Sequence, residues 1–340
     1  MDSRFLNATH HPQSRRRLWN GSNAARVGVG CWAIGGPFLL DGRPDGWGDV
    51  DDAQSIRALE LAADLGATLF DTADVYGTGH SETVLGRALA GRRDQVLIAT
   101  KFGYRYDEAS QRVAGTDVSP AYIEKALGAS LRRLGTDHID LYQIHVGELD
   151  DGAADAAAEK LERLAESGTI RAWGWSTDNA AAAGRMSGHR HFVAVQQELS
   201  LFHDGPEMLA LCEANNLVSL NRSPLAMGVL TGKFDRGTVL PASDVRGAGH
   251  AWVRFFRNGR LLPEFQARLD AVRELLRSDG RSLAQGALGW NLARSPATIP
   301  IPGFKTETQI RDNLGALEKG PLPPGTMAEI AALLDLRADA

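Results

Sequence analysis

Eight short runs of β-branched and apolar residues, each parted from the next by a stretch with helical spacing, constrain this chain more than any other feature. They occupy residues 26–32, 68–72, 96–102, 139–145, 170–176, 192–198, 217–223 and 297–303. Each has the length of a buried strand. Residues 51–65, 81–90, 119–134, 153–167, 206–215, 263–278, 282–293, 306–317 and 326–336 carry apolar positions at helical spacing. The punctuation agrees: Ser119-Pro120 sets a cap ahead of a first-turn proline, and Gly66, Gly135 and Gly168 stand where helices stop. This alternation, with no break in composition, predicts one parallel sheet closed into a (β/α)8 TIM barrel spanning residues 16–340. A flexible tail of residues 1–15 precedes it, and residues 16–25, with the turn Asn20-Gly21-Ser22, form a hairpin that plugs the lower mouth. An open doubly wound sheet is the competing fold, weakened because Gly28, Gly30, Gly35 and Gly36 lack the spacing of a dinucleotide-binding G-x-G-x-x-G turn.

Composition narrows the function. With 37 Lys+Arg against 42 Asp+Glu, a formal charge of −5 and 43% apolar residues, the chain is neither a basic nucleic-acid binder nor a charge-driven disordered protein. Two cysteines, Cys31 and Cys212, are too few for a disulfide framework, and residues 1–15 hold no apolar run for a signal peptide. The expectation is a cytoplasmic protein, with no membrane span, whose sequons at Asn7 and Asn20 are chance matches. One long segment departs from the repeat: in residues 226–260, Lys233, Arg236, Arg246, Arg254, Arg257 and Arg260 meet only Asp235 and Asp244. A basic loop of that length points to function.

Barrels place their chemistry at the C-terminal ends of their strands. Here the runs end with Asp71, Lys101, His145, Ser176, Gln196 with Gln197, and Arg222, while Asp74 and Tyr76 follow Asp71. Singly these have plain readings: Asp71 as a turn cap, Lys101 as a solvated strand end, Tyr76 as loop packing, His145 as a satisfied core histidine. Together an acid, an amine, a phenol and an imidazole complement one another. A phenol titrating near 10 donates a proton at neutral pH only beside a cation that stabilises the phenolate. Lys101 is such a cation, and Asp71 keeps it charged. His145 can donate a hydrogen bond to a carbonyl oxygen that Tyr76 protonates. The set suits carbonyl reduction. No H-E-x-x-H and no Cys/His cluster at ligand spacing calls for a metal.

These residues carry a family resemblance. Asp71-Thr72-Ala73-Asp74-Val75-Tyr76-Gly77, then Ser81-Glu82 and Leu85-Gly86, resembles the D-T-A-x-x-Y-G…SE…LG signature of aldo-keto reductases, supported by Thr100-Lys101 and by Asp140-Leu141-Tyr142-Gln143-Ile144-His145. The similarity runs from about Arg16 to the last helix. It implies a catalytic tetrad of Asp71, Tyr76, Lys101 and His145 and NADP(H)-dependent reduction of a small-molecule carbonyl, with sugars and keto-sugars among the candidates. It implies that Ser176 and Gln196 hold the nicotinamide carboxamide, with Gly30, Cys31 and Trp32 also at the cofactor. Arg222, Ser223, Pro224 and Leu225, followed by Gly228, Leu230 and Lys233, match the segment gripping the pyrophosphate. Gly303, Lys305, Thr306, Gln309, Asp312 and Asn313 match the adenosine end, and Lys305 favours NADP over NAD.

Three departures stand out. Arg222 replaces a tyrosine common in relatives; Val146-Gly147 follows His145 where Trp-Pro or Arg-Pro is frequent; and residues 35–50 are long and carry Trp47, which with Trp32 walls the substrate pocket. Two other functions compete: a Schiff-base aldolase with Lys101 as nucleophile, and a weakly catalytic, NADPH-sensing regulatory subunit. Monomer and homo-oligomer are both open.

Overall fold

The structure, a computed structural model, describes residues 11–235 and 237–334. Residues 1–10 of the expected tail, with the Asn7 sequon, lie outside the described residues. So do Arg236 of the basic segment and the last two positions of the final predicted helix.

Eight parallel strands form the centre: β1 (Val29–Gly30), β2 (Leu69–Asp71), β3 (Leu97–Phe102), β4 (Leu141–Ile144), β5 (Trp173–Ser176), β6 (Phe192–Glu198), β7 (Val218–Arg222) and β8 (Thr298–Pro300). They neighbour one another in chain order. The sheet closes on itself: Gly28 and Gly30 donate backbone hydrogen bonds to Pro300 O (2.9 Å) and Pro302 O (3.0 Å), and Gly30 bridges Gly303 in parallel. An ordered, closed sheet excludes the doubly wound alternative, in which strand order reverses. Gly30 is required at this seam, because a Cβ there would lie 2.6 Å from Ile301 O.

The outer ring comprises α1 (Asp52–Asp64), α2 (His80–Ala88), α3 (Pro120–Leu134), α4 (Asp151–Glu166), α5 (Ala180–Met186), α6 (Pro206–Ala214), α7 (Pro263–Leu276), α8 (Leu283–Arg294), α9 (Glu307–Lys319) and α10 (Pro324–Leu334). Side chains of Asp51, Ser119, Asp150, Asn179, Ser282 and Thr306 accept the first free amides of six of them, which fixes where each begins. The sequence reading lacked α5: four alanines and a glycine carry no apolar stripe, and Asn179 alone marks the start.

The N-terminal hairpin is present, Arg15–Arg17 pairing antiparallel with Asn23–Ala25. Its Leu18 and Ala24 pack with the inward-facing Leu69, Leu97, Leu141, Ala194, Leu220 and Ile299, closing the lower mouth. The last five positions of the expected tail, residues 11–15, are part of the fold: His11 N and Ser14 Oγ both donate to Leu317 O. Arg26, buried, donates to the carbonyls of Leu292, Ser295 and Thr298 and so ties the hairpin to the C-terminal part of the barrel.

Above the upper mouth lies a feature with no counterpart in the sequence reading. Leu39–Leu40, Arg43–Pro44, Tyr104–Asp107 and Arg112–Thr116 form a small sheet that joins the segments after β1 and β3. Facing it, the long segment after β7 crosses the mouth: Val245 N donates to Gly46 O (2.8 Å) and Trp47 bridges Asp244. Among the described residues, no helix is long and apolar enough to cross a membrane.

Candidate active site

Side chains alternate along a strand, and one register serves the whole site. On β3, Leu97 and Ala99 belong to the barrel's inner core and Lys101 is the next residue on that face, while Ile98 and Phe102 pack outward under the helices. The same step of two carries Leu69 to Asp71, Leu141 to Gln143 and His145, Ala172 to Ser176, Ala194 to Gln196, and Leu220 to Arg222. The apolar layers below thus dictate which polar side chains point into the upper mouth.

There Lys101 Nζ lies 2.7 Å from Asp71 Oδ2, 2.7 Å from Thr72 O and 3.3 Å from Tyr76 OH. Both charged partners are buried, Lys101 completely. Asp71 Oδ1 in turn accepts from Gln196 Nε2 (2.8 Å) and Gln143 Nε2 (3.3 Å). The His145 imidazole meets the Tyr76 ring edge to face at 5.7 Å and the Tyr104 ring likewise at 5.2 Å. The four residues expected to converge do so.

Their ionisation follows from this packing. Burial pushes the Tyr76 phenol up, against the pull of Lys101, so it carries its proton at neutral pH. Burial alone would lower Lys101, but Asp71 and Tyr76 outweigh it and hold the amine above its usual range. His145 is held well below its usual value, by burial first and then by the charges of Lys101 and Arg222, and is a neutral imidazole. Its Nδ1 is buried without a partner among the described residues.

The turn carrying Tyr76 is pinned from behind. Ser81 Oγ donates to Cys31 O and shares a hydrogen bond with Thr72 (both 2.8 Å). Glu82 accepts from Thr100 Oγ1 (2.6 Å) and Arg133 Nε (2.8 Å), bracing the residue before Lys101. Gly77, with φ of 61°, lets the turn press on Gly35 O, where a Cβ would have no room.

From Tyr76 and His145 a cavity of about 860 Å³ runs across the mouth to the N-terminus of α9. Gly30, Cys31, Trp32, Asp71, Ser176, Gln196 and Arg222 line its inner half; Ser223, Pro224, Leu225, Gly228 and Lys233 follow; Gly303, Lys305, Gln309, Asp312 and Asn313 form its far end. Two residues expected to bind cofactor do not line it. Leu230 is fully buried in the hydrophobic core, and Thr306 spends its hydroxyl capping α9. Lys305 lines the cavity, yet its Nζ donates to Trp47 O (2.6 Å) and Asp49 O (3.1 Å), bracing the segment before α1. Gln196 likewise has its amide nitrogen committed to Asp71.

The far end is electropositive. Lys233 makes no ion pair with a carboxylate among the described residues, and burial, then the nearby Arg246, lower its pKa against the pull of Asp244; burial lowers Lys305 too, against Asp244. Arg246 is ion-paired with Asp244 (2.6 Å), which leaves Lys233 as the amine without an ion pair; that charge, beside a helix N-terminus, fits a polyanion. The backbone between these groups is strained, with positive φ at Ser223, Ala226 and Met227, as at many ligand-gripping turns. These residues fit a dinucleotide phosphate.

The sequence reading assigned no role to Gln143, Asp45, Tyr104 or Trp252 and named Arg246 only within the basic segment; all lie at the site or its walls. Gln143 was detectable by register, standing midway between Leu141 and His145. The others sit on segments brought over the mouth by contacts distant in sequence. Arg222 is itself positioned by Asp178 and Glu198, and Glu198 also accepts from Arg254 of the long segment (2.9 Å).

The model of the Aldo/keto reductase family matches residues 26–335. The chain is 31% identical over 333 residues to the aldo-keto reductase yakc [NADP(+)] of Schizosaccharomyces pombe, covering 94% of this chain and 91% of that protein. It is 30% identical to the NADH-specific methylglyoxal reductase of Escherichia coli, covering 86% and 90% of the two. Among solved structures, a glycerol dehydrogenase from Gluconobacter oxydans superposes with a TM-score of 0.82 at 30% identity, over 97% of this chain and 98% of that one.

Proposed function

Because the chain belongs to the aldo/keto reductase family, we propose that it is a cytoplasmic, NADP(H)-dependent oxidoreductase that reduces a small aldehyde or ketone to its alcohol. The carrying observation is the buried relay in which Asp71 holds Lys101 and Lys101 contacts the Tyr76 hydroxyl at 3.3 Å. Ser176 and Arg222 would flank the nicotinamide, Lys233 would meet the phosphates, and Asn313 would stand at the adenosine end. When bound, the reduced dinucleotide supplies the hydride. The chain's own residues do the rest. His145, neutral, directs the carbonyl oxygen by a hydrogen bond. Tyr76 gives its proton to that oxygen as negative charge develops there, leaving a phenolate. Lys101 stabilises the phenolate through its ammonium, and Asp71 keeps the ammonium charged. The NADP preference draws support from the yeast relative's name and from this cluster of cations.

The same geometry weakens the aldolase reading, since a Schiff base needs a free amine and Lys101 is ion-paired, buried and protonated. The test is Tyr76→Phe. It should lower kcat by about 10² to 10⁴, the usual worth of a general acid, with NADPH affinity nearly unchanged in a fluorescence titration. Near-normal kcat would remove Tyr76 from this role. NADPH binding without turnover on any of a panel of small aldehydes would overturn the enzyme reading in favour of a cofactor-sensing subunit.

A further inference from the structure

One buried carboxylate at the cavity has no part in the relay. Asp45 is 8% exposed and lines the cavity, and its Oδ1 is shielded from solvent without accepting a hydrogen bond among the described residues. The imidazole nitrogen His250 Nε2 is 3.5 Å away, but it contacts Pro44 O at 2.9 Å and must donate there, since a carbonyl only accepts. Asp45 is held by its backbone: its N–H donates to Phe38 O (2.9 Å) and its carbonyl accepts from Trp32 Nε1 (3.2 Å). The Trp32 ring lies nearly parallel to Tyr76, with centroids 5.8 Å apart. Asp45 is therefore joined to the phenol's ring through one indole, and Trp252, which packs on the same indole, and Tyr104 line the cavity with it.

A carboxyl confined this way is unfavourable for the fold. Burial, with Asp41 adding to it, pushes its pKa up to about 7, and a buried acceptor without a donor weakens a protein. Neither the closing of the barrel nor the Asp71–Lys101–Tyr76 relay uses it. Oδ1 itself is shielded, so the oxygen a ligand can reach is Oδ2, which accepts no hydrogen bond among the described residues and belongs to a side chain still 11% exposed at the cavity.

We infer that Asp45 is a specificity-determining residue whose carboxyl accepts a hydrogen bond from a hydroxyl of the carbonyl substrate, several bonds from the carbonyl, while Trp32 and Trp252 cover the substrate's apolar face. This rests on the reading that Tyr76 protonates a carbonyl in the same cavity. A hydroxyl suits the site better than a cation, because the guanidinium groups of Arg222 and Arg246 on the cavity wall already supply positive charge. A site built to satisfy a hydroxyl discriminates strongly against the analogue that lacks it, since the acceptor is then left unpaired.

The experiment compares kcat/KM for 4-(hydroxymethyl)benzaldehyde, 4-methylbenzaldehyde and 4-(trimethylammoniomethyl)benzaldehyde in the unaltered enzyme, Asp45→Leu, Asp45→Asn and His250→Gln. The unaltered enzyme should prefer the hydroxylated aldehyde over the methyl analogue by about tenfold or more. Asp45→Leu should bring that ratio close to one by losing the hydroxylated substrate alone. Asp45→Asn, which keeps an acceptor oxygen, should restore part of it. Equal kcat/KM for the first two aldehydes in the unaltered enzyme would overturn the inference, as would preference for the trimethylammonium probe. Loss of the ratio in His250→Gln to the same extent as in Asp45→Leu would also overturn it, because Asp45 would then act through the loop. If the unaltered protein consumed none of the three, the reductase reading would fall and this inference with it.

Discussion

Replacing Lys101 by methionine tests the relay without reference to any substrate. Methionine fills a similar volume and removes the ammonium, so the Asp71 carboxylate, with its side chain 3% exposed, keeps only the two amides on Oδ1, from Gln196 and Gln143. Oδ2 and Thr72 O lose their common donor, and Asp71 becomes an uncompensated buried charge. Breaking a buried ion pair from one side costs roughly 3 to 5 kcal/mol. With an unfolding entropy of about 2.1 cal/mol/K per residue, a chain of 340 residues should melt roughly 4 to 7 degrees lower. The assay is urea unfolding of the unaltered protein, Lys101→Met, Asp71→Asn and the double variant, read as a thermodynamic cycle. Removing both charges relieves the stranded one, so the double variant should lie about 1 to 3 kcal/mol above the sum of the two single losses. A cost below about 1 kcal/mol for Lys101→Met with no coupling in the cycle would mean that the pair behaves as an exposed one, and the argument for a held, charged lysine would fail.

Two further outcomes follow from the packing. Gly30→Ala puts a methyl 2.6 Å from Ile301 O, a backbone atom at the closing seam that cannot step aside; a loss of about 1 to 3 kcal/mol or more is expected in urea unfolding, and an unchanged midpoint would contradict the seam. Asp45→Asn should stabilise the protein in alkaline but not in acidic solution. The folded carboxyl titrates at about 7 against 3.8 when unfolded, so the folded state binds the proton more tightly and stability falls as pH rises through that interval. The cost of the buried anion is complete above pH 7 and absent below 3.8, so thermal melts should show a gain at pH 8 that vanishes near pH 4; a gain equal at both would refute the assignment.

Much of the barrel was legible because strands buried on both faces read as unbroken apolar runs, and because polar residues at their ends break that pattern only where a mouth accommodates them. Asp71, Lys101 and His145 were visible for this reason, and Tyr76 through the turn that follows Asp71. The sheet above the mouth was not legible. Tyr104 and Tyr106 alternate with exposed residues on a short strand, and Leu39 pairs with Arg112 across a long stretch of chain, a partnership no local spacing encodes. Asp45 stayed hidden in a glycine-rich segment for the same reason. Lys305 has a second role that its charge did not reveal: besides lining the cavity, its amine donates to the carbonyls of Trp47 and Asp49. Leu230 looked like part of a binding loop from its neighbours, but an apolar side chain on a segment curling back under α8 goes to the core.

The hydrogen bonds from Gly28 and Gly30 to Pro300 and Pro302 have a bearing on how this protein is made. A ribosome delivers β1 before β8, so until β8 emerges the nascent sheet has an unpaired rim at β1 with Arg26 beside it, its guanidinium still without the carbonyls it will later meet. Exposed rims of that kind recruit other strands. Premature termination before residue 297 should therefore yield sticky fragments, and only the emergence of β8 lets the cylinder shut.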